Sequence, residues 1–183
     1  MKACYDCMGR NGCICHILHS AISGGIVDNE PAKAVIQKIH QVAGAHNRSY
    51  AFRYALQEEQ RKLNIKERIL IQDVITRWGS VDIACASFLD HPDDKNPEDD
   101  SFFQFQAVNN ALRRMKWPKD KIQSLVFTKA EMIRVKLIHN FLNKFDVYST
   151  TLGGSKYVTS SLVLPMILSI QSHLKETHQG YEG

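Results

Sequence analysis

Apolar residues recur every three or four positions along most of the chain, which is the period of an amphipathic helix. The first run begins at Pro31, a residue that suits a first helical turn, and a second run follows the interruption at 43–49. The two runs together predict a helical hairpin or one kinked helix. Their apolar positions are Val35, Ile36, Ile39 and Val42, then Phe52, Ala55, Leu56 and Leu63.

Helical periodicity returns in the second half of the chain. The stretch "SVDIACASFL" has it, and "FFQFQAVNNALRRMKW" predicts a helix that stops at Pro118. Thr128 and Glu131 form a capping box, "TKAE", which opens a long helix that breaks at Gly153 and Gly154. The apolar stripe of that helix is Met132, Val135, Ile138, Phe141, Leu142 and Phe145.

Three segments complete the predicted architecture. A last helix is expected from Thr159 or Ser160 to about Lys175, with a kink at Pro165. The short apolar run "ERILIQDV" at 67–74 is the best candidate for a strand. Residues 90–101 contain two prolines and six carboxylates and are expected to form a solvated loop. The pattern therefore predicts a mainly α fold with one or two short strands.

Composition narrows the class of protein. The 183 residues suffice for one domain, and 44 % apolar with 23 % charged residues is ordinary for a globular chain. The longest apolar runs are too short to span a bilayer, so we expect no membrane association, and no signal peptide is visible. Charge is uneven, because residues 81–101 carry a net −6 and residues 102–183 a net +6. A basic second half is compatible with nucleic-acid binding and also with ordinary solvated helix faces.

Three ordered motifs carry a family resemblance. The stretch "DVITRWGS", with Asp73, Thr76 and Ser80, closely resembles a signature of hAT-superfamily DNA transposases and of the zinc finger BED domain-containing proteins related to them. The stretch "CICHILHSAI", with Cys13 and His16, resembles the Cys-x-x-His stretch of that family, and "SKYVTSSLVLPMILSIQSHL" resembles its Tyr-Val-Thr helix. The resemblance covers 13–176 and leaves 1–12 and 177–183 as tails.

The resemblance implies a fold and a limit on chemistry. In that family an RNase H-like core is interrupted by a large helical insertion, and three carboxylates hold two divalent metals for strand cleavage. The segments that carry those acids have no counterpart here: twelve residues precede Cys13 without an Asp-Asn-Ala, and the chain ends at Gly183. We therefore expect the helical insertion domain of a transposase, without catalytic residues and not an enzyme. Its expected location is the nucleus, with the cytoplasm as the alternative.

Candidate nucleic-acid contacts come from two places. The resemblance puts Arg77 and Trp78 near DNA, although a structural interpretation has Asp73 capping a turn, Arg77 pairing with a carboxylate and Trp78 packing on helices. Gly79 replaces an Asn of the family signature, so a hydrogen-bonding side chain is missing. A basic stretch around Trp117 suits a phosphate backbone or, alternatively, the negative end of a helix dipole. Its cations are Arg113, Arg114, Lys116, Lys119 and Lys121.

The N-terminal cysteines raise a separate hypothesis. Cys4, Cys7, Cys13 and His16 have spacing adequate for a tetrahedral zinc site, although the resemblance already accounts for Cys13 and His16. We expect no cofactor, with zinc as the alternative. Cys85 lies in an apolar helical run and is expected to be a small core residue.

Two functions follow as hypotheses. The first is a transposase-derived fragment that keeps a residual nucleic-acid-binding role in the nucleus. The second is a protein–protein interaction module, or a self-associating one, that uses helix faces exposed by loss of the catalytic core.

Overall fold

Seven helices account for most of the residues that the computed structural model describes. These residues are 14–72, 78–90, 102–152, 164–165 and 168–172, with the side chains of 14–19, 27, 78, 146 and 148–152 excepted. The helices are α1 (Ile14–Asp28), α2 (Glu30–Arg48), α3 (Tyr50–Lys62), α4 (Trp78–Phe88), α5 (Phe103–Arg114), α6 (Lys119–Leu125) and α7 (Lys129–Leu152). The mainly α prediction is confirmed.

Helix α2 lies at the centre of the described structure. It contacts α1, α3, α4, α6 and α7, while α3 packs along α5 on one side and α4 packs along α7 on the other. The predicted stripe explains this position, because Val35, Ile36, Ile39 and Val42 are all buried. One core therefore runs through α2 and joins two helix pairs.

Two helices are present where the pattern predicted a hairpin or a kinked helix, and Ser49 separates them. Ser49 ends α2, and its hydroxyl accepts a hydrogen bond from the backbone N–H of Phe52 at 3.2 Å to start α3. Helix α2 begins at Glu30, one residue before the predicted Pro31, with Asn29 as its cap. A single polar residue thus separates two helices that the pattern alone left as a hairpin or a kink.

The capping box at the start of α7 is also confirmed. The backbone N–H of Thr128 donates to Glu131 at 2.8 Å, and the backbone N–H of Glu131 donates to the Thr128 hydroxyl at 3.3 Å. Met132, Val135, Leu142 and Phe145 of the predicted stripe are buried. Residues 153–154, at the predicted end of this helix, lie outside the described residues.

The strand predicted at 67–74 is wrong over its described part. Residues 65–72 belong to no helix or strand, and 73–74 lie outside the described residues. The backbone of Arg68 is paired by a side chain: Gln60 Nε2 donates to its carbonyl at 3.0 Å, and its N–H donates to Gln60 Oε1 at 3.3 Å. Ile71 N–H donates to the Ser87 hydroxyl at 3.1 Å. Side chains of helices thus bond this backbone where a strand partner was expected.

A side-chain amide also pairs with the backbone in the turn between α6 and α7. Asn109 Nδ2 on α5 donates to the Phe127 carbonyl at 2.8 Å, and Phe127 N–H donates to Asn109 Oδ1 at 2.8 Å. Asn109 is buried, so this amide satisfies both backbone groups of Phe127 away from water. The arrangement locks α5 to the start of α7.

The acidic segment predicted as a loop is anchored at its first residue. Asp90 accepts hydrogen bonds from the backbone N–H groups of Phe103 at 3.0 Å and Gln104 at 2.6 Å. A carboxylate so placed caps the N-terminus of α5, whose own preceding residue, Phe102, provides no side-chain cap. Residues 91–101 lie outside the described residues.

Two observed helices, α1 and α6, were not predicted, and the predicted last helix is described only in part. Helix α1 covers a stretch interpreted only as a motif, and α6 follows Pro118 where the sequence predicted only a stop. Of the predicted last helix, 164–165 and 168–172 are helical, and the kink at Pro165 cannot be judged because 166–167 lie outside the described residues. No described helix is long and apolar enough to cross a membrane.

Candidate functional site

The predicted basic stretch spans the end of α5 and the start of α6. Arg113, Lys116 and Lys119 are exposed and make no ion pair with residues that the structure describes. Three cations within seven positions can approach a phosphate backbone. They form one candidate surface, which we call the basic edge.

Arg114 is the member of the stretch with a structural role. Its guanidinium pairs with Glu58 and, at 2.9 Å, with Glu59, which ties α5 to α3. The hydrogen bond from Arg114 lowers the pKa of Glu58, and hydrogen bonds from Lys62 and then Arg114 lower the pKa of Glu59 against the effect of burial. Arg114 therefore has a structural pairing in this protein, and its contact with DNA stays a prediction.

Trp117 is half-buried and packs on the core. Its ring meets Phe52 edge to face at a centroid distance of 5.8 Å, and the Lys121 ammonium lies 4.4 Å from its ring centroid. The indole therefore contacts both the core and a neighbouring cation, and stacking of a base on Trp117 stays a prediction.

Most residues of the family motifs cannot be placed. Trp78 opens α4 and His16 lies in α1, both without described side chains, while Ser80 is half-buried in the first turn of α4. Cys85 is fully buried, as expected of a core residue. The predicted positions outside the described residues are Cys4, Cys7, Cys13, Asp73, Thr76 and Arg77.

Clusters of metal-ligating side chains do not occur within the described part of the chain. The predicted zinc set has no described side chain and so is not tested by this observation. The nearest approach to a catalytic pair is His139 on α7, whose Nδ1 lies 2.8 Å from Asp82 Oδ1 on α4. Asp82 is buried, and the pair joins the two helices.

A long apolar groove lies along α7, and the sequence did not predict it. Its wall on α7 recurs at three- and four-residue steps, and two of its members, Ile133 and Leu137, are 41 % and 38 % exposed. The fifteen residue steps from Ala130 to Phe145 rise about 22 Å, so the groove has roughly that length. The α7 residues that line it are Ala130, Ile133, Arg134, Leu137, Ile138, Phe141, Leu142 and Phe145.

The opposite wall comes from α1 and the start of α2. Ala21, Gly25 and Ala32 are small, and a Cβ added at Gly25 would meet no atom within 4 Å. Ile170, from the described part of the C-terminal segment, also lines the groove. The cavity has a volume of about 800 Å³, within the range that ligand and partner sites occupy.

Arg134 is the charged residue of the groove lining. It is half-exposed and makes no hydrogen bond or ion pair with described residues. Glu131, one turn earlier, is engaged by Lys38 at 2.7 Å. An unpaired guanidinium therefore lies within an otherwise mainly apolar surface.

A second stripe on α7 was the signal that could have revealed the groove. The predicted stripe contained Ile138 and Phe141, yet Ala130, Ile133, Leu137 and Phe141 form another line at steps of three and four. A helix with two apolar stripes needs two partners. The described structure covers one of these stripes well and leaves the other partly exposed.

Comparisons with known proteins identify no relative: no family model, no curated protein and no solved structure matches the chain.

Proposed function

We propose that the chain is a helical interaction module that holds a protein partner in the groove between α1 and α7. The observation that carries this proposal is the exposure of Ile133 and Leu137 beside a cavity of about 800 Å³. Contiguous apolar surface of this kind favours association, because covering it removes it from water. The predicted basic stretch supports a binding function less strongly, because two of its residues, Arg114 and Trp117, make contacts that stabilise the fold.

The motif resemblance supports an origin for this module. We propose that it derives from a hAT transposase, corresponds to the helical insertion of an RNase H-like core, has no catalytic role and acts in the nucleus. The support is the order of the three motifs in the sequence.

Nucleic-acid binding is a second candidate function, favoured by the basic edge. Arg113, Lys116 and Lys119 are exposed without ion pairs to described residues. If these three cations contact phosphates, the slope of log binding constant against log salt is about −3. Their binding would be weak at physiological salt.

One experiment compares the two functions on the same protein. A labelled helical peptide with a leucine stripe and a labelled short DNA duplex are titrated with the protein across a salt series. We expect peptide binding that varies little with salt, because apolar association does not depend on counterion release. Duplex binding that is tight at low salt and lost at high salt, without peptide binding, would favour the second function.

Matched variants locate the peptide site. Gly24 and Gly25 are adjacent on α1, and an added Cβ is unobstructed at both, but Gly25 lines the groove and Gly24 does not. Gly25→Leu is expected to abolish peptide binding and Gly24→Leu to leave it unchanged. Equal effects of the two substitutions would contradict the groove as the site.

A further inference from the structure

The groove has the dimensions of a helix-binding site. Its α7 wall runs from Ala130 to Phe145, and its lining residues recur with the period of a helix. An amphipathic helix laid in such a groove inserts side chains at steps of three, four and seven. The length of about 22 Å accommodates roughly four turns.

The facing wall combines small residues with two isoleucines. Ile22 and Ile26 provide apolar contact area, and Ala21, Gly25 and Ala32 leave space between the larger side chains. Open space above Gly25 leaves room for the side chains of an occupant. These features suit a partner helix whose larger apolar residues fill the space that the small residues leave.

Arg134 sets the charge of the occupant. No acidic residue lines the groove, and Glu131 is held by Lys38 and the capping box. When an occupant covers the groove, the guanidinium is desolvated, and this is unfavourable unless a carboxylate pairs with it. Arginine and carboxylate form short, charge-assisted hydrogen bonds. Complementarity therefore requires an acid near one end of the occupant, since Arg134 lies four residues from Ala130 and eleven from Phe145.

We propose that the occupant is an amphipathic helix of a partner protein that carries apolar side chains on one face and a carboxylate beside Arg134. This inference rests on the proposed interaction function and adds the chemistry of the partner. It assigns Arg134 as the residue that determines specificity, while the apolar wall provides the affinity.

Two synthetic helical peptides of about 15 residues test the proposal against the intact chain. They share one leucine stripe and differ only in flanking residues, which are Glu in the acidic peptide and Lys in the basic one. We expect the acidic peptide to bind about tenfold more tightly, the effect of one charge-assisted pair. Arg134→Glu should reverse the preference, and Arg134→Met should remove it. Lys136→Glu, an exposed cation of the same helix that does not line the groove, is the control and should leave the preference intact.

The other possible results would each contradict the inference, and they can be distinguished from one another. Equal binding of both peptides, abolished by Gly25→Leu, would leave the groove as an interaction site and refute the role of Arg134. Binding of neither peptide would refute the proposed function as well. Palmitate that binds the groove more tightly than the acidic peptide would identify a fatty carboxylate as the occupant. Sedimentation that shows a dimer broken by Gly25→Leu would identify a second copy of the chain. Either of the last two results excludes the partner helix.

Discussion

Two sides of the core differ in how their apolar surface is covered. On the side formed by α3, α5 and the end of α4, Phe88, Phe105 and Phe127 pack edge to face or tilted at centroid distances of 5.1–5.8 Å, and buried amides satisfy the adjoining backbone. On the α1–α7 side, an apolar stripe lines an open cavity. The difference shows that an apolar helix face is covered where side chains of neighbouring helices hold the connecting backbone over it. In the described structure this occurs on the first side, at 68–71 and at Phe127.

Buried amides explain why the covered side is fixed. Gln60 and Gln104 are fully buried, and Gln60 Nε2 donates to Gln104 Oε1 at 3.0 Å. Gln60 also pairs the backbone of Arg68, and Asn109 pairs that of Phe127. Each of these bonds fixes one arrangement of the chain, since a buried amide left without a partner is costly. No lining residue of the groove makes a comparable buried bond within the described structure.

The contrast between covered and exposed apolar surface can be tested most strongly with two leucines of α7. Leu142 is fully buried at the base of the groove and Leu137 is 38 % exposed on its wall. Leu142→Ala is expected to lower the free energy of unfolding by about 3 kcal/mol, through lost burial and a cavity, and Leu137→Ala by less than about 1 kcal/mol. Urea unfolding measures both. Similar losses would show that Leu137 is covered in solution.

Asn109→Leu removes the amide that pairs both backbone groups of Phe127. Two buried backbone groups lose their partners, so we expect a loss of about 2 kcal/mol in the free energy of unfolding. Asn110→Leu is the control, because the neighbouring asparagine is half-buried and makes no described hydrogen bond. An equal loss in the two variants would contradict the role of Asn109.

The Lys38–Glu131 pair joins α2 to the start of α7 and gives a pH-dependent contribution. Burial raises the pKa of Glu131, but hydrogen bonds from Lys38 and Thr128 outweigh this effect and lower it below its ordinary value of 4.5. The pair therefore stabilises the fold above about pH 4.5, and this contribution is lost as pH falls through the lower folded pKa. Lys38→Met should cost about 1.5 kcal/mol at neutral pH and reduce the loss of stability in acid. Thermal unfolding against pH measures both effects, and a variant with an unchanged pH profile would contradict the assignment.

Asp90→Ala removes the carboxylate that caps α5 across the acidic segment. The expected loss is about 1 kcal/mol, as for other helix caps, measured by urea unfolding. Asp90→Asn keeps an acceptor and should lose less. If neither substitution changes stability, the capping contact does not contribute in solution.

Local signals predicted much of the fold. The stripe of α2 and the capping box at Thr128 each depend on neighbouring residues, and both are confirmed. The interruption predicted over 43–49 is confined to Ser49, because 43–48 continue the helix. The segment at 67–72 was predicted as a strand because its apolar pattern says nothing about the partner of its backbone, which is Gln60. Asp90 and Asn109 act across 13 and 18 positions, and no local pattern reveals such bonds.

The surroundings of the candidate site could not be predicted from the sequence. The sequence shows the charge of Arg114 and the ring of Trp117 but not Glu58 and Phe52 beside them, and the predicted nucleic-acid contacts of the two residues stay predictions. The groove was missed because an apolar stripe is normally assigned to a core. The exposure of Leu137 depends on how α1 and the other neighbouring helices pack against α7. A sequence pattern does not show this packing.

The most direct measurement follows methyl resonances by NMR during titration with the acidic leucine-stripe peptide. Ile133, Leu137 and Ile26 line the groove, whereas Ile69, which is 66 % exposed on the segment between α3 and α4, does not. We predict that the first three methyl groups shift with peptide concentration and that Ile69 does not. Shifts at Ile69 equal to those at Leu137, or no shift in the groove, would contradict the assignment of the α1–α7 side as the binding surface.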